Sequence, residues 1–242
     1  RDRSPSRGLG DVYKRQVMKR VKANYPDVPM MLCSGGGARC DYEALKYFTE
    51  FWCSDNTDPV ERIYIQWGFS QFFPAKAMDA HVTSWNKATS VKFRTDVASM
   101  CKLGFDIGLK ELTADELTYC QTAVANWKRL QNAIMDGDQY RLVSPYEGNH
   151  MALNYVSKDA NKAVLFAYDI HPRFQEKLLA VKLQGLDPNK QYKVEEINLM
   201  PAASSGLVAN GKVYSGDYLM KIGLDVFGLG QTQSRVIELT AQ

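Results

Sequence analysis

The feature that most constrains the fold is a change of rhythm near residue 138. From Val17 to Asp138 short apolar runs alternate with helical segments, the pattern of β/α units. Four strands are predicted there: "VPMMLCS" (28–34), "EFWCSD" (50–55), "AMDAHVT" (77–83) and a weaker "VASMCKLGF" (97–105). Beyond Gln139 the runs crowd together with turn residues between them: "YRLVSP", "MALNYVS", "AVLFAYDI", "LLAVKLQGL", "QYKVEEINL", "DYLMKIGLDV" and "SRVIELTA". In "AVLFAYDI", Val164, Phe166, Tyr168 and Ile170 alternate to one face, as a half-buried strand requires. The chain is therefore expected to combine an α/β body over 17–138 with an antiparallel β-sandwich over 139–242.

Capping chemistry sharpens the helices. Asp58, Pro59, Val60 and Glu61 suit N-cap, N1, N2 and N3, with an oxygen acceptor, a proline where no N–H is needed and a glutamate reaching back. Thr113, Ala114, Asp115 and Glu116 repeat the capping box, and Leu117, Cys120, Val124, Trp127, Leu130 and Ile134 follow at spacings of three and four. Gly137 is the candidate stop. Between the first two strands, Asp41 is placed to cap a helix carrying Leu45 and Phe48 on one face.

Charge excludes one class of partner. The formal net charge is +3, but Arg1, Arg3, Arg7, Lys14 and Arg15 against Asp2 and Asp11 account for all of it. The remainder carries 25 basic and 25 acidic side chains, so a nucleic-acid partner is not expected. No apolar run is long enough to cross a bilayer. The first sixteen residues, "RDRSPSRGLGDVYKRQ", resemble a translated sequencing adapter and are expected to be non-native. On that reading the natural protein begins upstream, and a cytoplasmic or a periplasmic location is equally open. Five cysteines without a CxxC pair and three histidines without metal-ligand spacing make zinc and a disulfide framework unexpected.

Two stretches carry candidate chemistry. "CSGGGARCD" (33–41) ends a strand, and three consecutive glycines let backbone N–H groups approach a ligand's oxygens or simply make a turn. "CSDNTDP" (53–59) holds two aspartates three apart. Capping occupies Asp58, whereas Asp55 falls at the carboxyl end of a strand, where β/α enzymes gather reactive groups. Position alone leaves Asp55 open between a catalytic carboxyl and an ordinary loop carboxylate.

Taken together, "MLCSGGGARCDYEALKYFTEFWCSDNTDPVERIYIQWGFSQFFPAKAMDAHV" resembles the retaining α-galactosidases of glycoside hydrolase family 36. The similarity rests on C-S-G-G-G-x-R, on S-D-N-T-D followed by E-R, on I-Q-x-G and on A-H-V, and continues more loosely through "DGDQYRLVSP". It implies the C-terminal half of a (β/α)8 TIM barrel followed by a β-sandwich, and hydrolysis of terminal α-linked galactose with retention by two carboxyls. The first aspartate of S-D-N-T-D is the family's proton donor, which gives Asp55 the general acid/base role. Cys33 and the backbone of Gly36 would touch the galactose, and Asp58, Arg39 and Arg62 would support the site, the arginines by ion pairing. No metal or other cofactor is implied, the partner is a galacto-oligosaccharide, and the intact protein is a possible homo-oligomer.

The family nucleophile lies in a K-W-D type motif on an earlier strand, and this sequence contains no such motif. The chain alone is therefore expected to be inactive, and a half barrel to leave two sheet edges and an apolar interior unpaired. The rivals are an α-N-acetylgalactosaminidase or galactosyl transferase on the same scaffold and, from another class, a non-catalytic carbohydrate-binding or assembly protein built on the β-rich half.

Overall fold

The computed structural model describes residues 5–33, 39–85 and 88–242, with side chains described from residue 12 onward. A helix, α1 (Pro5–Asn24), mostly exposed over 12–24, leads into a parallel sheet of four strands: β1 (Met31–Leu32), β2 (Glu50–Trp52), β3 (Met78–Thr83) and β4 (Lys102–Asp106), in that spatial order. Helices α2 (Pro59–Phe69) and α3 (Val91–Ala98) make the crossovers, and α4 (Ala114–Asp136) follows the last strand. The fourth predicted strand starts later than its apolar pattern. Val97 and Ala98 still belong to helix or turn, because the apolar run passes through the end of α3 before pairing begins at Lys102.

Local chemistry accounts for the helix ends. Asp58 Oδ1 accepts from the backbone N–H groups of Val60 and Glu61 at 2.9 and 3.1 Å, with Pro59 at N1. The glutamate does not close a box here, since the N–H of Asp58 donates to Asn56 Oδ1 at 3.0 Å. At α4 the box is complete: Glu116 N–H donates to Thr113 Oγ1, and Thr113 N–H donates to Glu116 Oε2. Gly137 ends that helix with φ −74° rather than in the left-handed region. Its glycine is required by crowding, because a Cβ would lie 2.1 Å from the Ala133 carbonyl oxygen and 2.4 Å from that of Val156. Asp41 accepts from Ala44 N–H at 2.7 Å, but no α-helix follows, only a single 3₁₀ turn (Ala44–Lys46) whose N-cap position is Glu43.

From Asp138 the chain builds one antiparallel sheet: β5 (Asp138–Val143), β6 (His150–Val156), β7 (Lys162–Asp169), β8 (Gln191–Ile197), β9 (Val213–Ser215) and, after the short helix α5 (Gly216–Lys221), β10 (Gln233–Ala241). Spatial order is β5-β6-β7-β10-β8-β9. This is the C-terminal β domain the sequence predicts, except that two predicted runs do not form strands and the short β9 was not predicted. "LLAVKLQGL" contributes only the isolated bridge Val181–Leu224, and "DYLMKIGLDV" begins as α5, capped by Ser215 Oγ accepting from Tyr218 N–H. Among the described residues these coil segments and α5, rather than a second extended sheet, cover the sheet's outer face.

The central strand β7 is buried on both faces, not one. Val164, Phe166, Tyr168 and Ile170 join a core shared with Phe51, Phe93, Leu130 and Ile134 of the α/β body. Ala163, Leu165 and Ala167 pack the other way, against Val181, Leu183, Leu219 and Leu224. The antiparallel sheet thus serves as a wall against which α3 and α4 bury their apolar faces, which holds the parallel sheet and its loops in place.

Candidate active site

In a parallel sheet all carboxyl ends lie along one rim. Cys33 follows β1 there, Asp55 follows β2, and Ser84 follows β3. Both Cys33 and Asp55 are exposed. Asp55 is held from within the sheet, since the indole Nε1–H of Trp52 donates to Asp55 Oδ1 at 3.0 Å.

Trp52 lies on the face of the sheet opposite Phe51, Met78, Ala80 and Val82, which pack with α2 and α3, and a closed barrel turns that face inward. Strand alternation and register put Met31, Glu50, Trp52, Asp79, His81 and Lys102 there, with Trp52 opposite Asp79, Asp79 opposite Lys102 and His81 opposite Gly104. This face is polar, contrary to the apolar interior expected. Lys102 Nζ pairs with Glu50 Oε2, and with the hydrogen bond from Thr49 this holds the Glu50 carboxyl below its ordinary range although burial pushes the other way. Among the described residues the Asp79 carboxyl makes no ion pair or hydrogen bond of that kind, although the Lys102 and Arg62 charges act on it. Burial, with the Glu50 charge adding to it, pushes its carboxyl up to about 6. Burial likewise lowers the His81 imidazole, assisted by the Arg62 charge.

Arg62 is 3% exposed and, among the described residues, forms no ion pair. Its Nη1 donates to the Ser54 carbonyl at 3.0 Å and its Nη2 to the Asp79 carbonyl at 2.7 Å. The guanidinium therefore ties the turn that carries Asp55 to the backbone of β3, and its own burial depresses its pKa. The same group lies over the Trp52 ring, 4.9 Å from the centroid. On the other strand His81 contacts that indole, with ring centroids 4.7 Å apart.

A family model described as "Melibiase" matches residues 6–137, more than half of the chain, and one described as "Glycosyl hydrolase family 36 C-terminal domain" matches residues 150–239. The chain belongs to glycoside hydrolase family 36. "Alpha-galactosidase 2" of Hypocrea jecorina is 33% identical over 233 residues, covering 94% of this chain and 29% of its own length. "Alpha-galactosidase AgaA" of Geobacillus stearothermophilus is 33% identical over 214 residues, 86% of this chain and 27% of the relative. The crystal structure of the family 36 α-galactosidase AgaB from the same organism superimposes with a TM-score of 0.84 at 33% identity, over 94% of this chain and 30% of that one. A doubly substituted AgaA in complex with raffinose gives 0.83 at 31% identity, with the same coverage. The family 36 chain described here thus spans about 30% of the length of the relatives it matches.

Other residues singled out from the sequence take up different places. Asp58 is spent on the α2 cap. Gly36 lies outside the described residues, as does the rest of 34–38. Arg39 is exposed and lines a cleft of about 490 Å³ between α1 and β1, and among the described residues the nearby Asp41 pairs with Arg15 at 3.6 Å instead. Cys53, beside the motif, is buried with its thiol pushed up to about 12 by that burial, which makes it a packing residue. Sequence reasoning singled out neither Trp52 nor Asp79, and met His81 only as a histidine without metal-ligand spacing and as part of A-H-V. A signal existed: in "EFW" and "MDAH" polar or amphipathic residues alternate inside parallel strands, where a continuous apolar run is the norm.

Proposed function

We propose that this chain is the C-terminal part of a retaining α-galactosidase that removes terminal α-D-galactose from galacto-oligosaccharides. The observation that carries the reading is Asp55: an exposed carboxyl at the carboxyl end of β2, oriented by Trp52, while its neighbour Asp58 is consumed by the helix cap. Asp55 acts as general acid toward the departing sugar oxygen and then as general base toward water. Cys33, on the adjacent strand end, contacts the galactose, and the backbone of Gly36 joins it there. Arg62 supports the site by fixing the carbonyls of Ser54 and Asp79.

The second carboxyl comes from outside these 242 residues, which have no K-W-D motif, and the chain alone does not turn over. Substrates of the raffinose and stachyose type fit the sugars bound by AgaA variants in crystals. The test is Asp55→Asn in the full-length protein that carries this chain. Its loss in kcat/KM, which reports the glycosylation step, should be large for natural oligosaccharides and small for activated aryl α-galactosides, because only poor leaving groups need the proton. Equal losses on both substrates would remove the acid role from Asp55.

A further inference from the structure

We propose that Trp52 is the positioning residue of Asp55, its indole N–H occupying Oδ1 so that Oδ2 is the oxygen that carries and delivers the proton. The inference rests on the acid/base role of Asp55 given above and adds what selects between the two oxygens of an exposed carboxyl.

The chemistry of the donor makes the selection. An indole N–H donates and never accepts, so Asp55 Oδ1 at 3.0 Å must present a lone pair to it. A proton on Oδ1 would meet the N–H head on, and the neutral carboxyl therefore carries its proton on Oδ2. As Asp55 gives that proton to the leaving oxygen, the carboxyl gains negative charge and the hydrogen bond from Trp52 strengthens. The contact is thus stronger in the transition state than in the ground state, which is the condition for it to speed the reaction.

The indole is fixed well enough to do this. One neighbour is the Arg62 guanidinium, 4.9 Å from its centroid and itself held by two carbonyls, and another is His81, 4.7 Å away and tilted by 50°. His81 in turn occupies the space above Gly104, its partner across β3 and β4. A Cβ at Gly104 would lie 2.3 Å from His81 Cδ2, so glycine there makes room for the ring that buttresses Trp52. Four residues on three strands and a helix therefore converge on one N–H.

The deciding experiment compares Trp52→Phe with Asp55→Asn in the full-length protein, using a natural oligosaccharide and an activated aryl α-galactoside. Phenylalanine keeps an aromatic ring between Arg62 and His81 and removes only the donor. The expected loss in kcat/KM is roughly tenfold to a hundredfold on the oligosaccharide, the size of one hydrogen bond to a charged group, with little loss in kcat/KM on the aryl substrate. Equal losses in Trp52→Phe, with Asp55→Asn still discriminating, would overturn the positioning role and leave the acid role standing. Failure of Asp55→Asn to discriminate would instead overturn the functional reading. A second measurement does not depend on folding of the tryptophan variant: in the 242-residue chain the Trp52 indole proton resonance should move upfield in Asp55→Ala. An unmoved resonance would also overturn the proposal.

Discussion

The hydroxyl of Ser234 donates to Asp96 Oδ2 at 2.7 Å, joining the last strand of the chain to a helix of the α/β body 138 residues earlier. Asp96 is fully buried, and its carboxylate also receives Tyr119 Oη at 2.9 Å, Asn198 Nδ2 at 3.1 Å and Lys92 Nζ at 2.5 Å. Its backbone carbonyl accepts from Tyr168 of β7. One carboxylate thus gathers partners from α3, α4 and the neighbouring strands β10 and β8 of the β domain, Asn198 following directly on β8.

Removing it should be costly. Asp96→Ala leaves an ammonium, a phenol, an amide and a hydroxyl without their acceptor in a buried site, for an expected loss of about 3–5 kcal/mol. Because the network spans both parts of the molecule, denaturant unfolding followed by tryptophan fluorescence and by far-UV circular dichroism should remain one coincident transition in the native sequence. Two separated transitions would show that the parallel and antiparallel sheets do not share a core.

A second prediction concerns the junction. Gly137→Ala drives a methyl group into the carbonyls of Ala133 and Val156, both backbone and both unable to rotate away. The expected destabilisation is at least about 2 kcal/mol, read as a lower denaturation midpoint. If alanine were neutral here, the close packing of α4 against β6 would be wrong.

Asp79 supplies a pH dependence of definite sign. Its folded-state carboxyl is pushed up to about 6, above the 3.8 of the free side chain, so between those values the folded protein binds more protons than the unfolded one. Its contribution to stability is therefore greatest below about pH 4 and is lost as pH rises through about 6. A shift of that size bounds the effect at about 3 kcal/mol. Asp79→Asn should flatten the stability profile across that window, and a profile with the native slope would assign the slope to another group.

How much of this could be read from the sequence depends on how local each signal is. The Asp58-Pro59 cap and the Thr113–Glu116 box were legible because all their partners lie within four residues. The four parallel strands and most of the antiparallel ones followed from apolar runs. "DYLMKIGLDV" was misread because Leu219 is buried in either conformation, and only the Ser215 cap before it and Gly223 at φ +90° after it settle on a helical turn. The burial of β7 on both faces was missed because alternation predicts one apolar face and says nothing of alanines that pack on the other. The place of Asp55 just after β2 was legible from the strand that precedes it, but Trp52, His81 and Gly104 meet only through the register of three strands, which no local pattern encodes.

The most direct test of the central claim uses azide as an external nucleophile on Asp55→Ala in the full-length protein. If Asp55 is the acid/base of a retaining enzyme, azide should restore turnover of an activated aryl α-galactoside by attacking the galactosyl-enzyme, and the product should be α-galactosyl azide. A β-galactosyl azide would make Asp55 the nucleophile and contradict the account.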